Sequence, residues 1–266
     1  MAPETMPDHE ITTGARPAGA TSEESAAQGI RQMFDTIAPR YDLLNHLLSA
    51  GIDRLWWSRS ARSLRPILAR PEAVVLDLCC GTGDMALALD RYRPRSAADA
   101  APGVTAAPML AVDFSHEMLA LAKAKFAGRN IVAIEADALH LPVPPNSIDL
   151  VTCAFGFRNL SNYQAGLAEI YRVLRPRGEI AVLDFNQPRG PLGVAYSLYF
   201  RHVLPRLGRL ISRDPSAYTY LPASVERFPH PARMIEMMTA AGFAGALWTS
   251  YTFGVAGVYR AVKQGG

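Results

Sequence analysis

Cysteine is scarce in this 266-residue chain, which has only Cys79, Cys80 and Cys153. Two are adjacent and no pair has C-x-x-C spacing, so neither a zinc framework nor a set of disulfide staples is suggested, and a reducing compartment fits best. Long apolar runs are lacking too. None approaches the ~20 residues of a membrane-spanning helix, and no basic-then-apolar segment opens the chain, so a soluble, unexported, cytoplasmic protein is expected. His46, His140 and His202 are scattered without ligand spacing, no Ser/His/Asp constellation is visible, and no metal site is expected.

Aromatics are absent from residues 1–29, a stretch rich in Ala, Thr, Pro and Gly with five acids against Arg16. Such a segment buries little, and a disordered acidic tail is expected there; its acids also argue against an organelle transit peptide. Removing its −4 from the overall +3 leaves +7 on the remainder. That modest excess suits an anionic cofactor or a membrane surface and calls for no nucleic-acid partner. A hydrophobic content of 49% over the whole chain fills the core of one large domain, placed at residues 30–266.

Five short apolar runs punctuate that domain: "AVVLDL" (73–78), "MLAVDF" (109–114), "IVAIEAD" (131–137), "SIDLVTCAF" (147–155) and "EIAVLDF" (179–185). Each reads as a buried strand. Helical patterns lie between them, including Ser115 as N-cap before "HEMLALAKAKF" and "NYQAGLAEIYRVL", where Tyr163, Leu167, Ile170, Tyr171 and Leu174 recur at helical spacing. The alternation predicts an α/β fold with a parallel, doubly wound sheet. Two later runs, 246–253 and 255–263, flank Gly254 and read as a closing antiparallel pair. The Ala- and Pro-rich stretch 93–108 reads as a surface insertion. Segments 30–60 and 190–228 fall outside the sheet pattern and are assigned to a helical cap.

The stretch "VVLDLCCGTGDMALAL" runs a strand into a glycine-bracketed turn and then a helix. Gly81 and Gly83 allow close backbone approach to a ligand, and the helix that follows turns its positive end toward the crevice at the carboxyl edge of the sheet. A lone G-x-G is also what any tight strand-to-helix turn requires. Asp113 adds to it, because a carboxylate ending the second strand can accept hydrogen bonds from both ribose hydroxyls of an adenosine moiety. Asp137, ending the third strand, is placed to bond an adenine amino group. The turn has no Walker lysine, and Ala86 stands where a dinucleotide site often has its third glycine. A nicotinamide-dependent oxidoreductase therefore stays open as an alternative, as does a non-catalytic binding protein.

"LDLCCGTGD", "VDF", "EADALHLP" and "NSIDLV" together resemble the seven-stranded, Rossmann-like class I methyltransferases that use S-adenosylmethionine. The resemblance implies that the acid near the turn, Asp84 or less directly Asp77, faces the methionine amino group. Four further stretches narrow it: "FDTIAPRYDLLNHLLSAGIDRLWW", "FGFRNLSNYQAGLAEIYRVLRPRGEIAVLDFNQP", "YTYLPASVERFP" and "FGVAGV". They look like the quinone-biosynthesis C-methyltransferases of the UbiE/MenG group over nearly all of residues 30–262. Cofactor contacts are thereby implied at Thr82, Asp113, Asp137 and Ala138, and the implied substrate is a prenylated hydroquinone methylated on a ring carbon. Overall likeness favours a demethylnaphthoquinol of the menaquinone pathway, with a polyprenyl benzoquinol or demethylphylloquinol as alternatives. The chain departs from the family's usual residues at Asp53 (often His), Ala154 (Ser or Thr) and Arg177 (Gly).

A ring carbon becomes nucleophilic when the adjacent hydroxyl loses its proton, after which the sulfonium methyl transfers in line, so the enzyme must position two reactants and stabilise a phenolate. Arg158 and Asn159, following the fourth strand at the crevice edge, are the candidates for the hydroquinone oxygen. Arginine stays protonated, so Arg158 is expected to stabilise charge or orient a water, or else to form an ion pair capping the next helix. Tyr41 and Asn45, four apart on the cap, are further candidates or ordinary packing residues. Trp56 and Trp57 are read as core. Segment 191–211, with several arginines and no acids, reads either as a membrane-facing cap at the inner face or as an amphipathic helix on the sheet.

Overall fold

The computed structural model describes residues 14–17, 19–42, 51–94, 106–188 and 216–265. Seven strands form one sheet: β1 (Val75–Leu78), β2 (Met109–Asp113), β3 (Ile131–Glu135), β4 (Ile148–Ala154), β5 (Leu174–Phe185), β6 (Phe243–Tyr251) and β7 (Ala256–Lys263). Their order is β3-β2-β1-β4-β5-β7-β6. β1 pairs in parallel with both β2 and β4, so the winding reverses beside it and a crevice opens at its carboxyl end. β7 runs antiparallel between β5 and β6, as the paired runs around Gly254 predicted.

All four residues of β1 are buried, as expected for a strand covered on both faces. Leu76 and Leu78 belong to a cluster with Val151, Tyr163, Ile170 and Met234. Val75 belongs to a second cluster with Trp57, Leu89, Leu119 and Leu150. Each large side chain fully enclosed in these layers contributes about 1.5–3 kcal/mol, which outweighs the weak intrinsic preference of such short strands.

The covering helices start where their caps dictate. α1 (Glu23–Ile37) opens with a capping box between Ser22 and Ser25. α2 (Ile52–Ser63) and α3 (Arg65–Leu68) lead into β1, and α4 (Asp84–Asp90) follows the glycine turn. α5 (His116–Lys125) is capped by Ser115, which accepts from the Met118 amide at 3.2 Å. In α6 (Tyr163–Val173) the Asn162 side chain accepts from the Ala165 amide at 3.0 Å. α7 (Ser216–Arg227) and α8 (Pro231–Ala240) precede β6. The helical pattern read through Leu174 stops one residue earlier, because Leu174 already pairs with Ile148 and begins a longer β5 than expected.

The structureless tail expected over residues 1–29 does not extend to its second half. The Ala15 amide donates to the Leu160 carbonyl at 2.7 Å, and Ala26 and Ile30 on α1 are buried. Alanines supplied the contacts that aromatic content did not signal. Residues 1–13, most of the 93–108 insertion, Asn45 and segment 191–211 lie outside the described residues.

Candidate active site

At the carboxyl ends of β1 to β4 lies a cleft of about 700 Å³. Its floor is the glycine turn and the strand ends, represented by Leu78, Gly81, Asp113 and Asp137. Phe34 and Tyr41 wall it from the α1 side, and Phe155, Gly156 and Asn159 from the far side. Most of the lining is apolar, so the few polar groups fix what can bind and how.

Gly81 and Gly83 sit at φ 54° and 90°. A Cβ on Gly83 would lie 2.5 Å from the Phe126 ring, so this turn demands glycine for both its conformation and its packing. Asp113 is held on both oxygens: the Gly81 amide donates to Oδ2 at 2.8 Å and the Ser115 amide to Oδ1 at 2.9 Å. Burial nevertheless pushes its carboxyl up to about 6, the amides opposing the shift. Each oxygen retains lone-pair capacity toward the cleft. Asp137 is about half exposed and accepts from the Leu139 amide at 2.9 Å. Ala138 and Ala154 also line the space.

Three further cofactor candidates, Asp77, Thr82 and Asp84, are not among the residues that line this cleft. Asp77 is fully enclosed, and its Oδ1 accepts from the Thr152 hydroxyl at 2.6 Å. Burial pushes this carboxyl up to about 7, the Thr152 hydroxyl and the Ala86 amide opposing the shift. Thr82 is 2% exposed, and its hydroxyl donates to Asp42 at 2.5 Å while accepting from Lys125 at 3.1 Å. Asp84 is bound by the same Lys125 at 3.1 Å. Thr82, Asp84, Asp42 and Lys125 thereby form one polar network at the turn, an arrangement the linear spacing did not specify.

Opposite them, Arg158 is inside the protein. Its Nη1 donates to Asp184 Oδ1 at 2.8 Å and to the Phe155 carbonyl, and its backbone amide donates to Asp184 Oδ2 at 3.0 Å. Burial pushes the Asp184 carboxyl up and the guanidinium opposes it; desolvation works against the charge on Arg158, and Asp184 with Tyr41 and Tyr220 together more than offset it, so the arginine stays charged. Arg158 is in an ion pair, but with Asp184 on β5, whereas the cap of the next helix is the Asn162 side chain. Asn159 reaches the cleft, and its Oδ1 accepts from the Tyr220 hydroxyl at 3.1 Å. Burial pushes that phenol up to about 12, so it remains a donor.

Sequence reasoning missed Asp184, Tyr220, Lys125 and Asp42. Asp184 had a legible signal, since it ends a strand as Asp113 does. Tyr220 lies within a stretch already singled out as "YTYLPASVERFP", while nothing in the spacing linked Lys125 to Asp42.

Residues 21–263 match the ubiE/COQ5 methyltransferase family. A relative from Thermus thermophilus named "Demethylmenaquinone methyltransferase" is 48% identical, covering 85% of this chain and 98% of that one. One of the same name from Deinococcus radiodurans is 44% identical, covering 91% and 95%. Among solved structures, a SAM-dependent methyltransferase from Aquifex aeolicus superposes with a TM-score of 0.54 at 18% identity, covering 79% of this chain and 92% of that one, which bears on the fold alone. The family match over nearly the whole chain and the close relatives agree with the sheet order and the cleft, and the chain belongs to the ubiE/COQ5 methyltransferase family, an enzyme of the S-adenosylmethionine-dependent methyltransferase class.

Proposed function

We propose that the protein methylates a ring carbon of a prenylated demethylnaphthoquinol, converting demethylmenaquinol to menaquinol with S-adenosylmethionine as donor. The observation that carries this reading is a single cleft lined by Gly81, Asp113 and Asp137 together with Tyr41 and Asn159. The names of the two bacterial relatives support the choice of quinol.

The residues fit the cofactor. Asp113, fixed by two backbone amides, presents acceptor oxygens of the kind a ribose diol requires, and Asp137 and Ala138 line the space beyond it. Gly81 has no side chain to hold a ligand off the turn. When bound, S-adenosylmethionine supplies a methyl group made electrophilic by its sulfonium. Tyr41, Phe155 and Phe34 offer apolar and aromatic surface for a flat ring and keep water away from it.

On the quinol side, Tyr220 donates to Asn159 Oδ1 and one Asn159 amide N–H donates to the Phe155 carbonyl at 3.4 Å, so its second N–H is the one to donate toward a substrate oxygen. The Arg158 charge lies behind it in a low-dielectric setting, where it lowers the free energy of the quinol oxygen after its proton leaves. Asp184 fixes both the backbone and the guanidinium of Arg158, so the donors are already oriented before the charge develops. Arginine does not accept the proton.

The reading is tested by incubating the protein with isotopically labelled S-adenosylmethionine and a panel of reduced demethylated naphthoquinols and benzoquinols, followed by mass spectrometry. Label on the naphthoquinol ring carbon is expected. Label on benzoquinol alone moves the substrate to the other quinone class, and absence of any labelled product removes the reading.

A further inference from the structure

The turn between β6 and β7 carries an aromatic ring where folding gives it no reason to be. Phe253 is 85% exposed and has φ 55°, and its neighbour Thr252 has φ 45°. Side-chain-bearing residues pay a steric cost in this left-handed region, where glycine is at ease. The turn is also firmly anchored. Trp56 Nε1 donates to Thr252 Oγ1 at 2.8 Å, which joins it to α2. Leu55, next to that tryptophan, is 64% exposed, and Ile52 one turn earlier is 38% exposed.

Two further observations say what this surface would meet. Residues 51–70 contain five arginines and one acid, Asp53, and Asp53 is buried, so the charge presented outward by α2 and α3 is basic. The patch also adjoins the wall of the cleft: the Trp56 ring is 5.8 Å from Phe155, which lines it, and 5.9 Å from Phe185 at the end of β5. Exposed aromatic and aliphatic side chains among arginines are the chemistry of an anionic membrane interface, where rings enter the acyl boundary and guanidinium groups stay with the headgroups. Among the described residues no helix is long and apolar enough to cross a membrane, so the contact would be peripheral.

We infer that Phe253, Leu55 and Ile52, with the arginines of α2 and α3, form a docking surface for an anionic lipid bilayer. It sits at the cleft edge of the sheet, where a tailed substrate would be drawn from the membrane. The inference rests on the proposed prenylated substrate for its purpose, and its test does not depend on that substrate.

The full-length protein is sedimented with vesicles of phosphatidylglycerol and phosphatidylcholine in equal parts, and with vesicles of phosphatidylcholine alone. Binding to the mixed vesicles, weakened by salt, is expected, with a loss of about tenfold or more in Phe253→Gly, Leu55→Ser and their combination. Phe253→Gly suits the backbone at φ 55°, so it should retain the wild-type melting temperature. In parallel, the doubly substituted protein should methylate a short-chain quinol in solution at the wild-type rate and a long-chain quinol in vesicles more slowly. A wild-type protein that does not sediment, or variants that sediment equally well, would overturn the docking surface whatever the methylation assay shows. Self-association in analytical ultracentrifugation that is lost with Phe253 would also overturn it in favour of a second copy. Vesicle binding without methylation of any quinol would leave the surface standing and remove the substrate reading.

Discussion

Lys125, at the end of α5, grips Asp42 with Nζ 2.6 Å from Oδ2, and so ties the segment carrying Tyr41 to the glycine turn. The same ammonium meets Thr82 and Asp84 at 3.1 Å, making one tie between the two sides of the cleft. Lys125→Met should weaken S-adenosylhomocysteine binding about 3- to 10-fold, near 1 kcal/mol, since the groups are partly exposed and screened. Calorimetry measures this directly. Rising salt should weaken binding by wild type more than by the variant, and identical affinities with identical salt slopes would show that the tie does not shape the site.

Arg158→Lys keeps the charge and loses the planar guanidinium whose Nη1 donates to both Asp184 and the Phe155 carbonyl. A fall in kcat of about tenfold to a thousandfold is expected, with cofactor affinity little changed and partial recovery as pH rises, because the remaining difficulty is proton loss from the quinol. Asp184→Asn leaves a buried guanidinium without its counter-charge and should cost about 3 kcal/mol or more of stability. Single-turnover rates across pH and melting curves on the same samples separate the two effects. A destabilised Arg158→Lys protein with full turnover would confine Arg158 to the fold.

Burial holds the Asp113 carboxyl up to about 6, so the fraction able to accept two hydroxyl donors falls as pH drops through that value. Adenosylhomocysteine affinity should therefore decline on acidification, and Asp113→Asn should bind about 1–3 kcal/mol more weakly with this dependence lost. The stability effect has a definite sign. A carboxyl raised in the folded state contributes stability that is full below its unfolded value and is lost as pH rises through about 6. Urea midpoints should show wild type losing ground to Asp113→Asn between acidic and neutral pH.

Arg177 occupies a left-handed position at φ 67°, where the resemblance pointed to glycine as the usual residue. Arg177→Gly removes that steric penalty and should stabilise the protein by about 1 kcal/mol, or about 2–4 °C in melting temperature. Calorimetric melting of the two proteins measures it, and a lower melting temperature for the variant would show that the arginine's own contacts outweigh the strain.

The central strands β1, β2 and β4 were legible because they are buried along nearly their whole length and must be apolar there, and the start of α5 was legible because Ser115 caps it. The N-terminal segment misled because Ala15, Ala26 and Ala27 fit a packed surface as well as a loose one. Small side chains record close packing without announcing it in composition.

The linear order therefore determined the sheet, the glycine turn and the placing of Asp113, Asp137 and Asn159 at one edge, since strand periodicity and the position of each residue at a strand end are local properties. Tertiary structure alone decided that Arg158 would meet Asp184, that Tyr220 would orient Asn159, and that Lys125 would bind Asp42 beside Thr82 and Asp84. Those pairings join residues 26, 61 and 83 positions apart. They depend on how the crossover connections fold back over the sheet, and local spacing carries no information about that return.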